Sequence, residues 1–187
     1  MTKVKCLPTY VAIVLGSLIV FIWSSLSWTV FPFHQWTFKS FTHPNAVVRV
    51  IEQNARESGV YMIPSCENHG DVEDGPLILS AVRLEGINPN MGKEIAFHFL
   101  NILIGTALIG ALLKKCAPSL RRYGARVLFV LLFAFAGALL NQVPLWNWHF
   151  FSASFVFMGI LDQVVGFFLA GLVMAAMIKV REESGIN

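Results

Sequence analysis

Four long apolar runs, none of which contains a lysine or an arginine, limit what this chain can fold into. They cover residues 10–31, 95–113, 127–143 and 155–178. A helix of about 20 predominantly apolar residues crosses the hydrocarbon core of a bilayer. Only 13% of all residues are charged, whereas about 25% is usual in a soluble domain. The runs therefore predict an all-α membrane protein built on a bundle of four transmembrane helices.

The first run has two interpretations. Lys3 and Lys5 precede it, as basic residues precede the apolar region of a secretory signal peptide. The run is longer than such a region usually is, and no A-x-A cleavage site follows it. We therefore interpret residues 1–31 as a cytoplasmic N-terminus followed by a retained transmembrane helix.

The distribution of basic residues predicts the orientation of the four helices. With four crossings, nine basic residues fall on one side of the membrane: Lys3, Lys5, Lys114, Lys115, Arg121, Arg122, Arg126, Lys179 and Arg181. Lysine and arginine are enriched on the cytoplasmic side. We expect a multi-pass protein of the bacterial inner membrane with both termini cytoplasmic, a cytoplasmic tail at 179–187 and a periplasmic segment at 32–93. The 114–126 loop is also suited to anionic headgroups or a protein partner.

The periplasmic segment is predicted to be a small α+β insertion between transmembrane helices 1 and 2. Apolar residues at helical spacing predict a helix over about 44–58, with Thr42 as its N-cap and Gly59 as its terminator. Residues rich in strand formers predict strands at about 59–64 and 76–86.

The segment between the two predicted strands, "SCENHGDVEDG", is acidic. Carboxylate oxygens can hold a divalent cation, and the candidate ligands are Glu67, His69, Asp71, Glu73 and Asp74. The segment does not match the EF-hand pattern. We favour a solvated acidic turn and predict no metal site.

Aromatic residues cluster where the apolar runs end. Trp28 and Trp36 lie at the end of the first run and just beyond it, and Trp146 and Trp148 lie between the third and fourth. Tryptophan is enriched at membrane interfaces, which explains the pattern. A groove for a lipid or a glycan would use the same residues.

Several polar residues interrupt the apolar runs on faces that also carry small residues. Asp162 shares one such face with Gly159 and Gly166, and small faces let membrane helices approach closely. The helical rise places these polar residues in the outer half of the bundle. We predict that six of them form one buried polar cluster: Ser24, His98, Asn101, Asn141, Asp162 and Gln163.

This predicted cluster has a structural and a functional interpretation. A carboxylate in a bilayer must be neutralised or paired, and His98 is the only cationic partner that the apolar runs offer Asp162. The cluster then either joins the helices by hydrogen bonds or binds a lipid, a small solute or a proton.

No sequence motif indicates catalysis. His98 and Asp162 have the residue types of a general base and its orienting acid. However, the chain contains no G-x-S-x-G, no H-E-x-x-H and no P-loop. The three cysteines lack metal-ligand spacing. We expect no cofactor, no nucleic-acid partner and, on balance, no enzymatic activity.

Five stretches are similar to those of a known group of proteins: "IWSSLSW", "SGVYMIP", "VRLEGINPNMG", "RRYGARVLFV" and "LWNWHFF". On these, the whole chain resembles a group of small four-span bacterial inner-membrane proteins for which no activity is established. The resemblance implies a four-span plan with a small periplasmic insertion, and it assigns no catalytic residue.

Three functions are compatible with these observations. We favour a non-enzymatic accessory or structural subunit that binds a membrane assembly or a second copy of itself. The alternative is a ligand-binding or transport-related protein that uses the polar cluster. A membrane-embedded enzyme that acts on a lipid is the third.

Overall fold

The chain forms five α-helices and a two-stranded sheet, in a computed structural model that describes residues 8–64, 75–87 and 89–179. The helices and strands, in chain order, are α1 Thr9–Thr29, α2 Pro44–Asn54, β1 Gly59–Ile63, β2 Ile78–Val82, α3 Gly92–Cys116, α4 Tyr123–Asn147 and α5 Ala153–Met177. They belong to two compact units. We call Lys39–Met91 the insertion and the remainder the bundle.

Four helices of the bundle are long and apolar enough to cross a membrane: α1, α3, α4 and α5. The prediction of a mostly helical protein with four such helices and a small sheet is confirmed. α3 has 25 residues, or about 37 Å at the helical rise, and is longer than the apolar run that predicted it. Polar residues at its two ends extend it beyond that run.

The helices of the bundle pack through residues without bulky side chains. α5 packs against α1 and α4, and α1 also packs against α3. Met174 of α5 is fully buried and lies over two glycines. A Cβ on Gly16 would lie 2.9 Å from Met174 Sδ, and one on Gly110 would lie 3.2 Å from Met174 Cε. The absence of a Cβ on Gly16 lets α1 approach α5 closely, and the absence of a Cβ on Gly110 leaves room on α3 for the end of the Met174 side chain.

Side-chain contacts show that neighbouring helices of the bundle run antiparallel. Near one end, Arg126 at the start of α4 donates from Nε to the Ala175 carbonyl of α5 at 2.9 Å. We call this the basic end, because six of the described basic residues lie there: Lys114, Lys115, Arg121, Arg122, Arg126 and Lys179. Nearer the opposite end, Trp23 of α1 contacts Asp162 of α5.

The helix of the insertion, α2, is shorter than predicted. It ends at Asn54, four residues before the predicted limit, and its N-cap is His43 rather than Thr42. The chain beyond Asn54 is held by other bonds. Ser58 Oγ donates to Glu85 Oε2 at 2.8 Å and accepts from the Leu84 amide at 3.0 Å. Ser58 is thereby tied to the chain after β2, which ends the helix before Gly59.

The Ser58 hydroxyl also sets the protonation behaviour of the exposed Glu85 side chain. Its hydrogen bond stabilises the carboxylate and keeps the pKa of Glu85 below its usual value; the Glu85 backbone amide and the Arg83 charge act in the same direction. The contact is ordinary turn chemistry at the base of a hairpin and indicates no reaction.

The two strands form an antiparallel hairpin in which Gly59 pairs with Val82 and Ile63 pairs with Ile78. β2 ends at Val82, four residues before its predicted limit. The chain then turns, and Gly86 adopts a positive φ of 69°, which glycine tolerates without steric cost. The acidic segment between the strands, including Glu67 to Asp74, lies outside the described residues.

The insertion has no buried residue in its described part. One face of the hairpin consists of the cross-strand pairs Val60–Ala81 and Met62–Leu79. Val60 is 75% exposed and Met62 is 40% exposed. We call these four residues the apolar hairpin face.

Candidate functional site

The carboxyl group of Asp162 lies inside the bundle, on the tenth residue of α5. Its side chain is 14% exposed, and Oδ2 lies 3.8 Å from Nε2 of His34. Oδ1 is buried and has no hydrogen-bond partner among the described residues. A buried carboxylate oxygen without a partner is costly, so this atom is the least satisfied part of the site.

His34 comes from the loop that follows α1. Its side chain is 4% exposed, and Nε2 lies 2.9 Å from Ser27 Oγ. The ring stacks on Trp28, with centroids 4.1 Å apart and an interplanar angle of 10°. Ser27 and Trp28, both on α1, thus hold the imidazole in place.

The arrangement of Ser27, His34 and Asp162 differs from a catalytic triad. In a triad the serine and the acid bind different nitrogens of the imidazole. Here both Ser27 and Asp162 face the same nitrogen, Nε2. In addition, Ser27 is fully buried. The geometry therefore does not support nucleophilic catalysis by Ser27.

The partner that the sequence suggested for Asp162 is corrected by the structure. His98 Nε2 lies 2.9 Å from Ser24 Oγ, and this contact joins α3 to α1. His34 takes the place expected for His98. His34 lies three residues beyond the first run, so the apolar runs alone do not include it among the possible partners of Asp162.

Trp23 closes the small-residue face of α5 beside Asp162. Its indole Nε1 donates to the Asp162 carbonyl at 3.0 Å. A Cβ on Gly166 would lie 3.0 Å from Trp23 Cδ1. The small-residue face was predicted to pack against the backbone of another helix. Beside Asp162 and Gly166 it packs against the Trp23 ring instead.

Gln163 points to the other side of α5 and contacts α4. Its Nε2 donates to the Ala134 carbonyl at 3.2 Å. Gln142 of α4 lies against Gly159, where a Cβ would be 2.9 Å from its Cδ, and its Oε1 is buried without a partner among the described residues. Gln163 therefore makes a polar contact between α5 and α4, whereas Gln142 only packs against α5 at Gly159.

Asn101 and Asn141 are both exposed, and neither side chain hydrogen-bonds to another described residue. The six predicted residues therefore do not form one cluster. Ser24 contacts His98, Gln163 contacts the backbone of α4, and Asp162 lies beside His34, which Ser27 contacts.

The four predicted interface tryptophans differ in their surroundings. Trp36, Trp146 and Trp148 are 74%, 54% and 73% exposed, as side chains at a lipid interface would be. Trp28 is 49% exposed and also covers His34. Its second role could not be recognised without knowing where the loop folds.

Within residues 8–64, 75–87 and 89–179, no three His, Cys, Asp or Glu side chains are close enough to hold a metal ion. Comparisons with protein-family models, with curated proteins and with solved structures returned no match.

The His34–Asp162 pair can hold a proton at zero net charge in two ways. The proton resides either on His34, opposite an ionised Asp162, or on Asp162, opposite a neutral imidazole. The separation of 3.8 Å is too long for a direct hydrogen bond, so an electrostatic pair describes it better. A second proton would leave a net positive charge among apolar helices, which is unfavourable.

Proposed function

We propose that this chain is an integral protein of the bacterial inner membrane that acts as a non-enzymatic accessory or structural subunit of a membrane assembly. In this proposal both termini are cytoplasmic and residues 32–93 are periplasmic. The observation that carries it is the insertion, whose described part contains no buried residue.

A two-stranded hairpin is marginally stable by itself. Val60, Met62 and Ala81 of the apolar hairpin face are exposed and Leu79 is half-buried, although all four are apolar. Exposed apolar patches mark surfaces that bind proteins, ligands or membranes. A partner protein that covers Val60 and Met62 would provide the buried area that the insertion lacks.

Photo-crosslinking from the hairpin tests this proposal. A photoreactive residue at Val60 should capture a protein in native membranes, because Val60, 75% exposed, is the more exposed of the two β1 residues in the apolar hairpin face. The same residue at Gln53, which is exposed on α2, is the matched control and should capture little. Extraction in native lipid that yields only a monomer, with no crosslinked protein at Val60, would contradict the proposal.

A second function, reversible binding of a proton, is favoured by the unpartnered Oδ1 of Asp162. Ionisable residues inside membrane spans commonly lie on proton or solute pathways. Asp162 is the only acidic residue in the four apolar runs, so its carboxyl group has an infrared signature that can be assigned.

The test is infrared spectroscopy of the protonated-carboxyl band at a series of pH values. Asp162→Asn should abolish the band, and His34→Gln should alter how the band responds to pH, because His34 Nε2 lies 3.8 Å from Asp162 Oδ2. A band that is insensitive to pH in the unmodified protein would assign Asp162 a structural role.

A further inference from the structure

One exposed stripe of α3 contains a single polar residue. The stripe follows alternating steps of four and three residues and consists of Phe97, Asn101, Ile104, Leu108 and Ala111. Phe97, Ile104 and Leu108 are 68%, 53% and 64% exposed. This spacing is the heptad pattern through which helices pair side by side. We call these five residues the α3 stripe.

Asn101 lies deep in the apolar run. The centre of the run 95–113 is residue 104, so Asn101 is three residues from it, about 4.5 Å along the helix axis. Its amide has no hydrogen-bond partner within the described chain. Hydrocarbon cannot hydrogen-bond to an amide, so this position is unfavourable unless another helix supplies a partner.

The other exposed amide of the spans provides a contrast. Asn141 lies two residues from the end of its apolar run, 127–143, where headgroups and water can satisfy it. The exposure of Asn141 therefore requires no protein partner. Asn101, in contrast, needs a hydrogen-bond partner from another protein chain.

We propose that α3 pairs with α3 of a second copy of this chain, with Asn101 hydrogen-bonded to the partner's Asn101. This inference rests on the proposed function and names its partner. Two copies inserted in one membrane share their orientation, so a two-fold axis along the membrane normal places each residue opposite itself. An amide both donates and accepts, and it can therefore satisfy its own copy at the same depth.

A second copy of this chain accounts for the α3 stripe with fewer requirements than a helix from a different protein does. Any other helix would need its own polar group at the depth of Asn101, whereas a second copy brings one automatically. The apolar residues of the stripe then pack against their equivalents. A lone asparagine in such a seam fixes the register and the number of helices.

Cysteine crosslinking and association measurements test this pairing in the full chain, with Cys6, Cys66 and Cys116 replaced by serine. In bilayer nanodiscs or native membranes, Ile104→Cys and Leu108→Cys should form disulfide-linked dimers. Leu132→Cys on α4, where the native leucine is 56% exposed, is the matched control and should not.

Asn101→Leu should weaken the dimer about 3- to 30-fold, the range for one interhelical hydrogen bond, and Asn101→Gln should retain most of the affinity. Helix content and tryptophan fluorescence check that each variant is folded. Equal dimerisation of the unmodified protein and Asn101→Leu would overturn the inference, as would dimers linked equally well through Leu132→Cys.

The outcome also separates this inference from the proposed function. A foreign protein captured at Val60, with no crosslink along the α3 stripe, would refute the pairing and leave the assembly role standing. A monomer with neither crosslink would refute both.

Discussion

Arg126 contributes to the predicted membrane orientation through its charge and to the packing of the bundle through hydrogen bonds, and only the structure shows the second role. In the sequence it is one of nine basic residues that predict orientation. In the structure it is buried, 7% exposed. Besides its bond to Ala175, its Nη1 donates to the carbonyls of Leu120 at 3.0 Å and Arg121 at 2.8 Å. The last carbonyls of a helix lack partners and favour a nearby cation. Arg126 thus fastens the end of α5 to the loop before α4.

Replacing Arg126 should therefore cost stability beyond the loss of a charge. Arg126→Ala is expected to lower the free energy of unfolding by about 1.5–3 kcal/mol, the range for hydrogen bonds to charged groups. Arg126→Lys should lose less, since an ammonium keeps the charge but not the planar fork. Unfolding in mild detergent with increasing denaturant measures both.

Arg122→Ala is the matched control for Arg126. It removes the same charge from the basic end of the bundle, but Arg122 is exposed and its side chain does not cap α4. We expect a change within about 0.5 kcal/mol. Equal losses for the two alanine variants would mean that Arg126 acts only through its charge.

Single residues of the site were predictable only in part, for identifiable reasons. Periodicity placed Asp162 on a small-residue face, because glycine and alanine mark close approach. It could not place His34, since a loop residue has no helical period. Nor could it show that Asn101 faces outward, because a span that is apolar on every side gives no signal for which side is buried.

At the scale of elements, the apolar runs predicted the four long helices well and the insertion less well. A bilayer-length apolar run has few alternatives to a helix, so α5, observed at Ala153–Met177, differs from its prediction by two residues at most at each end. α2 has no such constraint. The end of α2 depends on the hydrogen bonds of Ser58 with Leu84 and Glu85, which follow β2. Residues so distant in sequence cannot be paired from a local sequence pattern.

Glycines on α5 and α3 allow a test of helix packing. Gly166→Ala should destabilise the bundle by about 1–3 kcal/mol, because its Cβ would lie 3.0 Å from Cδ1 of the Trp23 ring. The indole is held by its hydrogen bond to Asp162 and cannot move without breaking it. Thermal unfolding and the emission of tryptophan report the stability and the displaced ring.

Gly105→Ala on α3 is the control for this effect. A Cβ there meets no atom within 4 Å, so the substitution should be neutral or stabilising by up to about 1 kcal/mol through helix propensity. If Gly166→Ala proved as harmless as Gly105→Ala, Trp23 would be free to move away from α5, and the packing described beside Asp162 would be wrong.

At the scale of the whole molecule, charge and connectivity together predict how the chain crosses a membrane. The six described basic residues of the basic end cluster where α3 ends and α4 begins and where α5 ends. Four crossings put the loop 117–122 on the same side as both termini. The insertion, between α1 and α3, then lies on the opposite side.

Cysteine accessibility tests this topology. In a chain without its native cysteines, Ser119→Cys reports on the loop between α3 and α4, and Gln53→Cys reports on α2; both native residues are exposed. A membrane-impermeant maleimide applied to intact cells should label Gln53→Cys and reach Ser119→Cys only after the inner membrane is permeabilised. Lysine and arginine are retained on the cytoplasmic side during insertion, and this retention is the physical reason for the expected difference.

The labelling pattern separates two possible errors. Labelling of Ser119→Cys but not of Gln53→Cys in intact cells would show that the protein is inserted the other way, with the basic end outside. Labelling of both positions from the same side would instead mean that α3, which holds the only apolar run between them, does not cross the membrane. Replacing Lys114 and Lys115 by glutamate should weaken the preference for one orientation, because the signal lies in the number of basic residues that flank the spans.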